Sequence, residues 1–91
     1  MTFNGMETVS VIHGAFEPFP RLVAFVDVDP KLSLVEKAEV AFKLTNNIDR
    51  PWVENPGVTP MGTSRRSTSV GDMVLVGNTK LKCKSSGWDM V

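Results

Sequence analysis

Apolar and polar positions alternate early in the chain. Val9 and Val11 flank Ser10 within Thr8 to Phe16, and this period of two among β-branched residues predicts a first strand. Gly14 marks either a bulge in that strand or its end. Glu17-Pro18-Phe19-Pro20 follows, and because each proline fixes φ and lacks an N–H, the segment reads as a turn. Arg21 to Val28 is the most apolar run of the chain, broken only by Asp27, as expected of a central strand covered on most of both faces. The period then changes. Ser33-Leu34-Val35-Glu36 has capping-box spacing, in which the serine oxygen accepts from the Glu36 N–H and the glutamate reaches back, so a helix is predicted from about Leu34. At about 100° per residue, Leu34, Val35, Ala38, Ala41, Phe42 and Thr45 share one broad face, Leu44 widens it toward Val40, and Glu36, Glu39 and Lys43 fall opposite. Asn46-Asn47 should end the helix, since short amide side chains make poor helix interiors.

No period is visible from Ile48 to Ser69. Three prolines and two glycines interrupt that stretch, which reads as a loop of about 20 residues. Asp72 to Val76 and Thr79 to Lys84 are two strands joined by Gly77-Asn78, a two-residue turn with glycine first. In the second arm Thr79, Leu81 and Cys83 face one way and Lys80, Lys82 and Lys84 the other, and a short last strand is expected at Trp88 to Val91. The order β-β-α-long loop-β-β, with a further short β at the end, predicts an α+β fold. One helix should pack on a curved, mostly antiparallel sheet of four to five strands, whose chain-end strands are placed to close it into a partial barrel.

Composition narrows the class. Ninety-one residues, 42% hydrophobic and 22% charged, predict a single globular domain over 1–91. The single Cys83 cannot make an internal disulfide or a cysteine-based metal cage, so stability must come from packing, with a homodimer as a natural supplement. Neither a basic start leading into an apolar run nor a stretch of 18 apolar residues occurs, so the expectation is a soluble cytoplasmic protein with no membrane partner. Ten Lys and Arg balance ten Asp and Glu. The balance is local as well as global: residues 1–60 hold five basic and eight acidic side chains and residues 61–91 hold five and two, so the parts carry −3 and +3.

Catalytic signals are sparse. His13 is the only histidine and has no Ser, Cys or Asp at a motif spacing, which favours a structural role. Cys83 alternates inward and reads as a small core residue, although Lys82 and Lys84 would lower its pKa were it exposed. Asp27, Asp29, Asp49 and Glu54 match no metal-ligand motif, and the glycines are too scattered for a phosphate loop. A non-enzyme without cofactor or metal is expected.

Two polar segments are candidates for binding. In the first, Asn46, Asn47, Asp49 and Asn55 surround Trp52, which either plugs the helix end against the core or stands exposed as the aromatic anchor of an interface. The second runs from Arg65 to Asp72 through Arg66, Ser67 and Ser69. It either presents guanidinium and backbone donors to a phosphate or carboxylate, or forms a structural turn in which hydroxyls satisfy loop amides and Asp72 pairs with an arginine. Arg65, Arg66, Lys80, Lys82 and Lys84 would also make one basic patch if the loop follows the hairpin's lysine face, with Trp52 or Trp88 as a stacking surface for nucleic acid.

The strings Thr45-Asn46-Asn47-Ile48-Asp49-Arg50-Pro51-Trp52 and Arg66-Ser67-Thr68-Ser69-Val70-Gly71-Asp72, closing with Gly87-Trp88, resemble a group of small uncharacterised proteins carried by bacteriophages and plasmids. The likeness covers about the C-terminal 50 residues and departs at Val53, where that group often has a second aromatic. It implies a mobile-element origin and a bacterial host cytoplasm, and it transfers no catalytic residue. The expected function is therefore a non-catalytic accessory protein that engages a host or phage protein through the Trp52 loop and the Arg65–Asp72 turn. The alternative is a nucleic-acid-binding, barrel-like module using the C-terminal basic residues.

Overall fold

Alternation in the sequence becomes alternation of burial across one antiparallel sheet. The computed structural model describes residues 2–3 and 5–91, with side chains from Gly5 onward. Its strands are β1 (Thr2–Phe3), β2 (Met6–His13), β3 (Arg21–Val28), β4 (Val58–Pro60), β5 (Met73–Val76), β6 (Thr79–Cys83) and β7 (Trp88–Met90). The single helix α1 (Leu34–Leu44) follows β3, and a 3-10 turn at Trp52–Glu54 precedes β4. Hydrogen bonding orders the strands β4-β3-β2-β5-β6-β7, with β1 paired to the start of β2. Every pairing is antiparallel.

One face of this sheet carries the core. Val9, Val11 and His13 of β2, Val74 and Val76 of β5, and Leu81 and Cys83 of β6 are buried on it. On β3 the register slips opposite Val11/Ile12, and both Val23 and Ala24 are buried, which is what an extra residue in one strand of a pair produces. The helix lies across this face. Ala38, Ala41 and Thr45 are its buried stripe, and the two alanines let its backbone come close to the valines beneath. The capping box forms as expected: Ser33 Oγ accepts from Glu36 N at 3.2 Å and Glu36 Oε1 accepts from Ser33 N at 3.0 Å. Lys37 Nζ donates to Glu7 Oε1 at 2.7 Å and ties the helix to β2.

The structure corrects several expectations. The α+β class with one helix holds, but the sheet has more than four to five strands and is not closed into a barrel. β4 lies inside what reads as a 20-residue loop, where Val58, Thr59 and Pro60 pair with Val26, Phe25 and Ala24. Pro60 is tolerated because β4 is an edge strand. Helix α1 ends at Leu44, with Thr45 as its C-cap, next to the asparagines as expected. Leu34 and Val35, expected on the packed face, are exposed, Val35 by 47%. The glycine-first turn is as expected, with Gly77 at φ +58°. Among the described residues no helix is long and apolar enough to cross a membrane.

Candidate functional site

The two polar segments singled out in the sequence meet at the C-terminal end of α1. They divide into a buried joint and an exposed loop.

Asp72 is the centre of the joint. It sits just before β5 and is fully buried. Its Oδ1 accepts from Gly14 N at 2.8 Å, Ala15 N at 3.0 Å and an Arg66 guanidinium nitrogen at 3.0 Å. Its Oδ2 accepts from Ser69 N at 2.8 Å and from Arg66 at 2.7 Å. Three backbone N–H groups and a bidentate guanidinium make an anion nest, and the anion it holds is the chain's own carboxylate. The structure thus shows the structural-turn reading of the Arg65–Asp72 segment, in which Asp72 pairs with an arginine and Ser67 satisfies a loop amide; these donors are taken up within the chain. Burial opposes ionisation of Asp72, but the Arg66 guanidinium and the N–H groups of Ala15, Ser69 and Gly14 outweigh it and hold the carboxyl down at about 2. Arg66 is 27% exposed and its guanidinium lies 5.1 Å over the Phe16 ring.

A second chain of hydrogen bonds runs beside the nest. Thr45 Oγ1 donates to the Ala41 carbonyl at 2.8 Å, so it accepts from Thr68 Oγ1 at 2.7 Å. The Thr68 hydroxyl proton is thereby committed, and Thr68 accepts from His13 Nε2–H at 2.8 Å. This assigns the neutral tautomer with a bare Nδ1, and Nδ1 has no partner among the described residues. Desolvation by burial lowers the His13 pKa, against the pull of Asp72. A histidine, a hydroxyl and an aspartate in contact suggest a hydrolytic triad, but the geometry is wrong for one. Thr68 and Asp72 both address Nε2, Asp72 at 3.9 Å, and all three side chains are buried from substrate. Cys83 is also buried, and burial pushes its thiol pKa up rather than down.

The exposed loop is pinned to this joint. Asn47 Oδ1 accepts from Trp52 N at 2.9 Å, Asn47 Nδ2 donates to the Arg65 carbonyl at 3.1 Å, and Asn47 N donates to Ser67 Oγ at 2.8 Å. Trp52 is fully buried. Its indole N–H is shared between the Arg65 and Arg66 carbonyls at 3.1 and 2.9 Å, so it plugs the helix end and is not an exposed anchor. Asn46 and Asn55 donate to the helix-terminal carbonyls of Phe42 and Leu44, satisfying acceptors that a helix end leaves free. Of the polar residues chosen from these two segments, Asn47, Asp49 and Arg65 are exposed. Ile48, which is 72% exposed, and Arg50 flank Asp49 at the crest of the loop. A groove of about 660 Å³ runs along one side of this crest, lined by Asn47, Ile48, Asp49, Arg50, Pro51, Val53, Glu54 and Arg65. A smaller one of about 240 Å³ lies on the other side, against Lys43, Leu44, Asn46 and Asn55. The sequence reading missed Ile48, Arg50, Pro51, Val53 and Glu54 as site residues. The available signal was a lone isoleucine between polar neighbours in a proline-rich loop.

The basic residues are not one patch of free charge. Arg66 is held by Asp72, and Lys84 pairs with Asp89 at 3.2 Å. Lys80 and Lys82 stand exposed on β6. Trp88 is half-buried, packs edge-on against Phe42 and donates to Glu39 Oε1 at 2.7 Å. Among the described residues no cluster of three or more His, Cys, Asp or Glu side chains is placed to hold a metal. The chain matches no family model, no curated protein and no solved structure.

Proposed function

We propose that this chain is a non-catalytic protein-binding module whose contact surface is the crest Ile48–Arg50 together with the groove that ends at Arg65. The observation that carries this reading is an isoleucine 72% exposed on a loop pinned by hydrogen bonds on both sides. Asn47 on one side of the crest and Trp52 on the other fix the loop through hydrogen bonds to Ser67, Arg65 and Arg66. A preordered apolar tip loses little entropy on docking, and the alternating charges of Asp49, Arg50, Glu54 and Arg65 around it give a partner its register. The resemblance to mobile-element proteins fits a host or phage protein as that partner, met in the bacterial cytoplasm. Protein binding is preferred over nucleic-acid binding because Trp52 is buried, half-buried Trp88 packs edge-on against Phe42 and bonds Glu39, and the guanidinium of Arg66 is held by Asp72.

The test is site-specific photo-crosslinking from position 48 in host lysate. Adducts should be competed away by excess unlabelled wild-type protein and not by Ile48→Asp. Equal competition by both proteins would overturn the proposal. A probe of single-stranded DNA or RNA that shifts the protein at low salt, and loses affinity steeply as salt rises, would favour nucleic acid instead.

A further inference from the structure

The face of the sheet opposite α1 is not patterned for water. An antiparallel sheet with one solvated face normally places polar side chains there. Here the outward positions of β2, β3 and β5 include Ile12, Phe25, Met73 and Leu75, which are half-buried, and Met6 and Leu22, which are exposed by 36% and 39%. The cross-strand register joins them into one band. Ile12 pairs with Leu22 on one side and Met73 on the other, and Ser10 sits between Phe25 and Leu75. No helix or strand among the described residues packs on this band. Charge then brackets it: Asp27 stands on the β3 flank, where among the described residues its carboxylate accepts only the Thr8 hydroxyl, and Lys80 and Lys82 stand on the β6 flank with no ion-pair partner among the described residues, the neighbouring Asp89 being paired with Lys84.

We propose that this face is the interface of a homodimer in which two copies stack sheet on sheet. A twofold axis lying in the interface and running roughly along the strands places β3 of one copy over β6 of the other. The apolar bands then cover each other, and the acidic flank of each copy meets the lysine flank of its partner, twice. Asp27 is aligned with Thr8 and Lys80 with Ser10, so they differ by one residue pair, about 7 Å along the strand, which a lysine side chain spans. β2 and β3 run about 26 Å but β5 and β6 only about half as far, so the shared band is smaller than the roughly 800 Å² per partner of a standard interface, and the dimer is expected to be weak. A second copy is favoured over a different protein because the two flanks complement each other within one chain. The dimer also supplies what a thin core of valines and alanines lacks.

Sedimentation velocity from low micromolar to near-millimolar concentration tests this on the whole chain. Wild type should show a reversible monomer–dimer equilibrium. Leu75→Glu should sediment as monomer, and Lys80→Glu/Lys82→Glu, at exposed positions that leave the core untouched, should weaken the dimer by about tenfold or more. Adding Asp27→Lys to that pair should restore it, which only the flank-to-flank arrangement predicts. Ile48→Asp should dimerise like wild type, so this interface and the loop surface stand or fall separately. Wild type that stays monomeric throughout overturns the proposal, as does a dimer indifferent to the lysine reversals.

Discussion

Asp72 joins distant parts of the chain, because one carboxylate ties Gly14 and Ala15, 58 and 57 residues away, to Arg66 and Ser69 of its own turn. Removing it leaves three N–H groups without an acceptor and a part-buried guanidinium with only the Ser67 carbonyl. Breaking a buried ion pair costs about 3–5 kcal/mol, whereas a chain of this length has about 5–14 kcal/mol of stability in all. Asp72→Ala should therefore shift a urea unfolding midpoint far down. The nest remains chemically suited to a small carboxylate, so formate should recover part of the loss in this variant and do nothing for wild type. A variant that formate leaves unchanged would show that the nest does not survive without its own acid.

At the scale of elements, what was legible in the sequence was what depends on neighbours in sequence. The capping box at Ser33 and Glu36 needs residues three apart, and the hairpin needs only Gly77-Asn78 between two alternating arms. Ser33→Ala should cost about 1 kcal/mol through the lost N-cap, measurable by thermal unfolding. β4 was not legible, because three residues ending in proline form a strand only where β3 offers an unpaired edge. The His13–Thr68–Thr45 chain was not legible either, because its partners lie 55 and 23 residues apart and only the fold brings them together. Trp52 was readable as a residue with two fates, and the sequence could not choose because burial depends on the carbonyls of Arg65 and Arg66 arriving above it. Gly71 belongs to the same class. Its φ of +95° disfavours any side chain, and an added Cβ would lie 3.0 Å from the Ala15 Cβ. Gly71→Ala should cost about 1–3 kcal/mol and should loosen the turn that delivers Asp72 to its nest, seen as faster amide exchange at Gly14 and Ala15.

For the molecule as a whole, these buried groups set the shape of stability against pH. His13 is held neutral in the fold, while in the unfolded chain it takes up a proton around 6.5. Below that value the unfolded state binds more protons, so stability falls as pH drops. Asp72 adds a second loss in the same direction. Its carboxyl titrates at about 2 in the fold against 3.8 when free, so about 2 kcal/mol present above pH 4 disappears as pH falls toward 2. Cys83 acts at the other end, because burial raises its pKa above 9.0 and the unfolded chain loses that proton first, so stability declines as pH rises past 9. The expected profile from urea unfolding is a plateau between about pH 7 and 9, a first decline below 6.5 and a second below 4. His13→Gln should remove the first decline and leave the second, and Cys83→Ala should extend the plateau upward. If the His13→Gln profile still declines between pH 6.5 and 5, the imidazole is not the group being titrated, and the buried neutral tautomer assigned from the threonine chain is wrong.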